Sequence, residues 1–271
     1  NRLSASQFDE ILNNEIFLSA DTMLSRRMVD ELDRWANIDE VIKKNEPINT
    51  FAFDIDDLET KPMPTDDHWG NNSAAHGIAI IYAIGECDMD AGIKARSLVY
   101  NLKAALRSPF VKAIVLRVDS PGGDPLASDY ISELMRQCKV DNAKPIIVSQ
   151  GSVAASGGYW LSMYASKIVS SPITITGSIG VISSWVYDKG LKDTLGITYE
   201  TVKAGKYADL GASYSLPIIP LGLPVRKLTD DEMAQFENSM KLTYSQFIKK
   251  VADGRGRKAE EIEKIAQGRI W

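Results

Sequence analysis

Histidine and cysteine are scarce in this 271-residue chain, with two of each. Two cysteines, Cys87 and Cys138, make neither a disulfide framework nor a metal site, and both read as small apolar core residues. No metal and no cofactor is expected. No apolar run approaches the roughly 18 residues of a membrane span, and no signal-peptide pattern opens the sequence, which starts at Asn1 and not at Met. The chain therefore reads as a soluble piece of something longer, with any anchor expected outside it. A basic excess is missing too. The net charge of -5, from 31 Lys and Arg against 36 Asp and Glu, argues against nucleic acid as a partner, because phosphate binding needs a basic surface. What is present is 44% apolar and 25% charged residues, enough for one large α/β domain or one domain with appendages.

The pattern changes along the chain. Residues 1–50 read as helical: SASQFDEIL offers a serine cap with acids in the first turn, and DTMLSRRMVDELDRW puts Met23, Leu24, Met28, Leu32 and Trp35 on one face. Residues 51–75 are acidic and rich in turn formers, as a linker or exposed loop would be; their acids are read as solvated, not as a metal site. From residue 76 to 271, short apolar runs alternate with helical patterns. HGIAIIYAIGEC, VKAIVLRV and KPIIVSQG read as strands. IKARSLVYNLKAALRS, LASDYISELMRQC and SVAASGGYWLSMYA read as helices. Further strands are expected in KIVSS and GSIGVISSW, and a helix in VYDKGLKDTLG. Unalternating apolar strands separated by helices predict a mostly parallel sheet covered by helices. YSLPIIPLGLPV, residues 214–225, holds three prolines and reads as an apolar loop, not a strand. Thr229 and Glu232 form a capping box ahead of a long final helix. IEKIAQGRIW, residues 262–271, also repeats the pattern of FDEILNNEIF near the start. That repeat predicts that the first residues are the tail of a preceding, similar unit.

Two strand-to-helix turns carry the chemistry. A serine nucleophile needs a base for its proton and N–H donors for the oxyanion that develops. Ser156 follows an apolar strand and precedes Gly157 and Gly158, which leave room for a substrate backbone. Gly122 and Gly123, in DSPGGDP, end the strand before it. In a parallel sheet both turns fall at the carboxyl edge, where sites form, so an oxyanion hole shared between them is expected. Each glycine pair alone would be read as a tight turn; together they favour catalysis. The base is unassigned by this reasoning. His68 and His76 lie in the polar stretch and at the mouth of the first core strand, so a Ser-His-Asp triad is poorly supported and a lysine enters consideration.

Three stretches, VKAIVLRVDSPGGDPLASDYI, KPIIVSQGSVAASGGYWLS and KIVSSPITITGSIGVI, together resemble signal peptide peptidase A (protease IV) over roughly residues 76–271. The resemblance implies a Clp/crotonase-like fold and a membrane-bound serine peptidase whose Ser-Lys dyad cleaves remnant signal peptides. It implies Ser156 as nucleophile, Gly122, Gly123 and Gly157 as the oxyanion hole, and Thr176, Gly177, Ser178, Ile179 and Gly180 along the substrate groove. In short members of that family the lysine lies about fifty residues beyond the serine, in a segment like ETVKAGKYADLGAS. Here Ala208 stands at that place, with Lys203 and Lys206 out of register. Long members are tandem repeats with the lysine in the first half, and this chain resembles the serine-bearing second half. The resemblance thus implies a lysine supplied by a preceding repeat or neighbouring subunit, with Lys206 as the alternative. It further implies little activity in this stretch alone, a homo-oligomer, and a catalytic domain on the extracytoplasmic (periplasmic or lumenal) side of a membrane. Two other readings stand beside it: a crotonase-like enzyme acting on an acyl thioester, and a non-catalytic half whose role is assembly.

Overall fold

A computed structural model describes residues 3–34, 38–45, 77–141, 144–216 and 219–271. The expected linker, His68, His76 and the acidic DIDDLE stretch lie outside the described residues. The chain opens with α1 (Ala5–Asn14), α2 (Ala20–Ser25) and α3 (Ile38–Asn45). Then follow β1 (Gly77–Ile84), α4 (Ala95–Arg107), β2 (Val111–Ser120), α5 (Pro125–Val140), β3 (Ile146–Ala155) and the single-turn α6 (Gly157–Trp160). After these come β4 (Lys167–Val169), β5 (Ile175–Gly177), α7 (Leu191–Thr194), β6 (Ser213–Leu216), β7 (Ile219–Pro224), α8 (Asp230–Arg255) and α9 (Ala259–Glu263). Two compact units result, one of Asn1–Ile38 with Ile182–Thr243, the other of Asp39–Val181 with Tyr244–Trp271. Among the described residues, no helix is long and apolar enough to cross a membrane.

The larger unit is the expected α/β body. Its sheet runs β1-β2-β3-β4, with β5 also on β3, and every pairing is parallel. On one face the alternation of β1 buries Ala79, Ile81 and Ala83 under α4, in a core that also holds Leu98, Leu102, Ile131 and Met135. On the other face Ile78, Ile80, Tyr82 and Ile84 stay exposed. Trp160 stacks on Phe247 of α8 with centroids 4.4 Å apart and donates its indole N–H to Asp129 at 3.1 Å. Both aromatics are core, as the sequence suggested for Trp160; Cys138 is buried as well.

One boundary differs from the sequence reading in a consequential way. SVAASGG was read as the start of a helix, yet β3 continues through Ala155 and the helix is one turn long. Alanine is the strongest helix former, but intrinsic propensity yields to tertiary context, and here tertiary hydrogen bonds outweigh it. The Asp119 carboxylate accepts from the N–H groups of Ser152 and Val153 at 3.3 and 3.0 Å. This bridges a register shift between Val118 and Ser120, after which Ser120 pairs with Ala154, while β5 takes the far side of Val153–Ala155.

The smaller unit corrects two more expectations. YSLPIIPLGLPV contributes to an antiparallel ribbon of β6 and β7. In a two-stranded ribbon every strand is an edge, so a proline without an N–H is tolerated there. The helix read across residues 21–35 stops at Ser25, because Arg27 turns left-handed (φ 57°) and the Met28 N–H donates back to the Met23 carbonyl at 2.9 Å. The α1 cap is Ser4, and its partner in the first turn is Gln7, not an acid. The capping box of Thr229 and Glu232 forms as read, with N–H to side-chain oxygen distances of 2.8 and 3.3 Å.

Glu232 is 2% exposed and receives two hydrogen bonds from Arg226, at 2.7 and 2.8 Å. Arg226 and the Thr229 backbone hold its carboxyl down to about 2, and Lys203 with Arg226 holds Asp209 down to about 2. Both groups stay ionised in the fold to lower pH than in the unfolded chain, where carboxyls titrate near about 4. Their contribution is complete above that range and is lost as pH falls toward about 2. The melting temperature by circular dichroism is expected to drop across this window. Glu232→Gln should flatten the drop, and an unchanged slope in that variant would refute the assignment.

Candidate active site

Both glycine-rich turns leave the carboxyl edge of the sheet, one from β2 and one from β3. Gly122 and Gly123 adopt φ values of 111° and 142°, a region that L side chains rarely occupy. A Cβ on Gly122 would stand 2.8 Å from the Gly157 nitrogen and 2.8 Å from the Ser156 Cβ. The two turns are therefore in direct backbone contact, and the absence of a side chain at Gly122 is what permits it.

Ser156 sits on a strained corner with φ 51° and ψ −118°. A non-glycine residue held there costs on the order of 1–3 kcal/mol, and the surroundings fix it from both sides. Its N–H donates to the Gly177 carbonyl at 2.9 Å, and its carbonyl accepts from the N–H groups of Tyr159 and Trp160, each at 2.9 Å. The side chain is half-buried, and its Oγ has no hydrogen-bond partner among the described residues. The corner resembles in form the strand-to-helix elbow that presents a nucleophilic serine at the end of a sheet.

Two main-chain donors flank this corner, and their directions follow from the planarity of the peptide. In a trans peptide the C=O and the following N–H point opposite ways, and no peptide here is cis. The Gly122 carbonyl accepts from the Cys87 N–H at 2.7 Å, so the Gly123 N–H of the same peptide points away from Cys87. The Ser156 carbonyl points into the α6 turn, so the Gly157 N–H points out of it. Neither N–H has a partner among the described residues. The Gly122 N–H, by contrast, donates to Ser120 Oγ at 3.2 Å. Of the three glycines expected at the oxyanion hole, two thus carry unengaged donors and Gly122 does not.

The TGSIG stretch is paired on both sides by other segments of the chain. Gly177 is bonded to β3, while Thr176 exchanges main-chain hydrogen bonds with Trp271 at 2.8 and 2.9 Å, and the Ser178 N–H donates to the Arg269 carbonyl at 2.7 Å. Ile179 accepts from the Gly268 N–H at 2.9 Å, and Gly180 packs on the Gly268 backbone. The segment from Gly268 to Trp271 therefore occupies this edge, and no extended peptide can pair with Thr176 or Ser178 while it does.

No lysine reaches Ser156 Oγ by a hydrogen bond among the described residues. Lys203 is ion-paired with Asp209 at 2.7 Å. Lys206 is paired with Asp231 at 2.8 Å and lies 4.8 Å from the Tyr207 ring; the Asp231 bond raises its amine above the ordinary lysine range. A lysine held protonated in this way is a poor general base. Ala208 lies in the same turn-rich segment and has no titratable group.

Two residues lie beneath the turns: Cys87, which the sequence offered only as a core residue, and Ser120, which it did not single out. Cys87 lies 2% exposed, its Sγ 3.5 Å from Ser120 Oγ, and burial pushes its thiol up. Ser120 is fully buried. Its place inside the DSPGG motif was the available signal, but nothing in the sequence tells a buried serine from one facing solvent.

Residues 139–271 match the family model described as peptidase family S49. The chain is similar to the chloroplastic serine protease SPPA of Arabidopsis thaliana, with 33% identity over 90% of this chain and 37% of the relative. It is similar to Protease 4 of Salmonella typhi, with 31% identity over 92% of this chain and 38% of the relative. A putative signal peptide peptidase SppA of Enterococcus faecium is 32% identical over 65% of this chain and 48% of the relative. The chain thus spans less than half the length of these relatives. Among solved structures, a variant of the 1510-N membrane-bound stomatin-specific protease aligns with 72% of this chain and 71% of its own at 18% identity, with a TM-score of 0.43.

Proposed function

We propose, from the match of residues 139–271 to the model of peptidase family S49, that the chain supplies the nucleophile and oxyanion donors of a serine peptidase. Ser156 Oγ attacks the scissile carbonyl carbon while its proton passes to a base. The oxyanion is held by the N–H groups of Gly123 and Gly157. Collapse expels the amine, which takes the proton back from the base and leaves an acyl ester on Ser156. Water then attacks the ester, aided by the same base, and releases the acid.

The observation that carries this reading is the strained Ser156 corner, whose hydroxyl has no partner among the described residues and is flanked by two N–H groups likewise without one there. The base in this proposal is a lysine from outside the chain, completing a Ser-Lys dyad. It comes from a preceding similar repeat in the longer protein or from a neighbouring subunit. Support comes from Ala208 at the expected place and from the engagement of Lys206 by Asp231. Remnant signal peptides at a membrane are the proposed substrates, a reading supported by the names of the relatives, with an anchor outside this chain and an oligomeric assembly.

A peptidyl fluorophosphonate tests the reading in the longer protein. The expected result is one label per active chain, mapped by peptide mass spectrometry to Ser156. A protein that cleaves peptides while the label falls elsewhere would overturn it.

A further inference from the structure

Ser120 lies where three strand ends meet. Its Oγ accepts from the Gly122 N–H at 3.2 Å and lies 3.5 Å from Cys87 Sγ, in the loop after β1. Its own carbonyl is packed so closely on the turn after Ser156 that a Cβ on Gly158 would stand 2.5 Å from it. The side chain is completely buried.

The two peptides that form the glycine turn are therefore fixed separately. Cys87 N–H holds the carbonyl of the Gly122–Gly123 peptide. The N–H of the Pro121–Gly122 peptide is held by the hydroxyl of Ser120. Gly122 and Gly123 both sit in backbone conformations open to rotation, because neither has a Cβ. Without the Ser120 bond, a buried Gly122 N–H would lack an acceptor, and the turn would rotate to find one. That rotation pulls the adjoining Gly122–Gly123 peptide against its Cys87 bond and shifts the Gly123 N–H.

We propose that Ser120 is a positioning residue, whose hydroxyl fixes the glycine turn so that the Gly123 N–H meets the oxyanion formed at Ser156. The proposal rests on the peptidase reading above. It assigns Ser120 no contact with substrate.

The test uses the longer protein, with Ser120→Ala assayed beside Ser156→Ala. Removing an oxyanion donor outright lowers kcat about 10²–10³-fold, and misdirecting one should do less, so kcat is expected to fall about 10–100-fold with KM within about threefold. Affinity for a peptidyl boronate, which forms a tetrahedral adduct, should fall in step with kcat/KM, while affinity for the product peptide stays within about twofold. Ser120→Cys keeps a weak acceptor and, assayed under reducing conditions because Cys87 Sγ lies beside it, should recover part of kcat; it also carries the test if the alanine variant does not fold. Boronate and product affinities lowered equally, or kcat within about twofold of the parent, would refute the role of Ser120. A fully active Ser156→Ala protein would instead refute the peptidase reading itself.

Discussion

Ser156→Ala in the longer protein is expected to lower kcat for peptide hydrolysis on the order of 10⁶-fold, the size of loss that follows removal of a serine nucleophile. The structure predicts that this loss comes without instability. Ser156 Oγ makes no hydrogen bond among the described residues, and the bonds that hold the corner come from its main chain, which alanine keeps. Alanine also meets the same backbone strain as serine at φ 51°, so the melting temperature should stay within about 2 °C of the parent, less than the shift for about 1 kcal/mol in a domain of this size. Turnover of a quenched fluorescent peptide, with a thermal melt alongside, reads both. Activity within tenfold of the parent would remove Ser156 from the chemistry. A lost activity accompanied by a lost fold would contradict the account of the corner.

Gly122→Ala carries the second large effect, for a different reason. The new Cβ would meet the Gly157 nitrogen and the Ser156 Cβ, both at 2.8 Å, and both belong to the corner that must not move. The turns have to separate, which displaces the Gly123 and Gly157 donors together. Loss of one such donor costs about 10²–10³ in kcat, so a loss of at least about 10³-fold is expected when two shift. The left-handed φ of 111° adds strain on the order of 1–3 kcal/mol. Gly190→Ala separates strain from collision, because Gly190 has a similar φ of 128° but open space where its Cβ would go. That variant should lose stability and keep kcat within about twofold. If Gly122→Ala behaves like Gly190→Ala, the contact between the turns has no part in catalysis.

Much of the site's address was legible in the residues themselves. Apolar runs without polar alternation marked β1, β2 and β3 as parallel strands, although β1 lies at the sheet's edge with one face exposed, and parallel strands bring their carboxyl ends to one edge. The glycine pairs after β2 and β3 were therefore placed together by topology alone, with Ser156 beside them. The Thr229–Glu232 capping box was equally local, because both partners lie within one turn of helix. What misled the reading were places where a local preference met a distant partner. The alanines of SVAA suggested helix, but the Asp119 carboxylate and β5 draw them into the sheet. The prolines of YSLPIIPLGLPV argued against strands, but the ribbon has no inner strand that needs every N–H.

The chain's order of residues was thus sufficient for the kind of sheet and for the edge to which both glycine turns and Ser156 fall, since each follows from periodicity or from one short motif. Only the tertiary structure decided which N–H groups remain unengaged. Gly122 and Gly123 are neighbours of one type, yet Ser120 engages the first and Cys87 turns the second outward. It also decided that the segment from Gly268 to Trp271 fills the edge of Thr176 and Ser178. Main-chain hydrogen bonds are donated by every residue except proline, so sequence carries little record of their partners. Those partners are fixed by which segments the packed core brings within about 3 Å of each other.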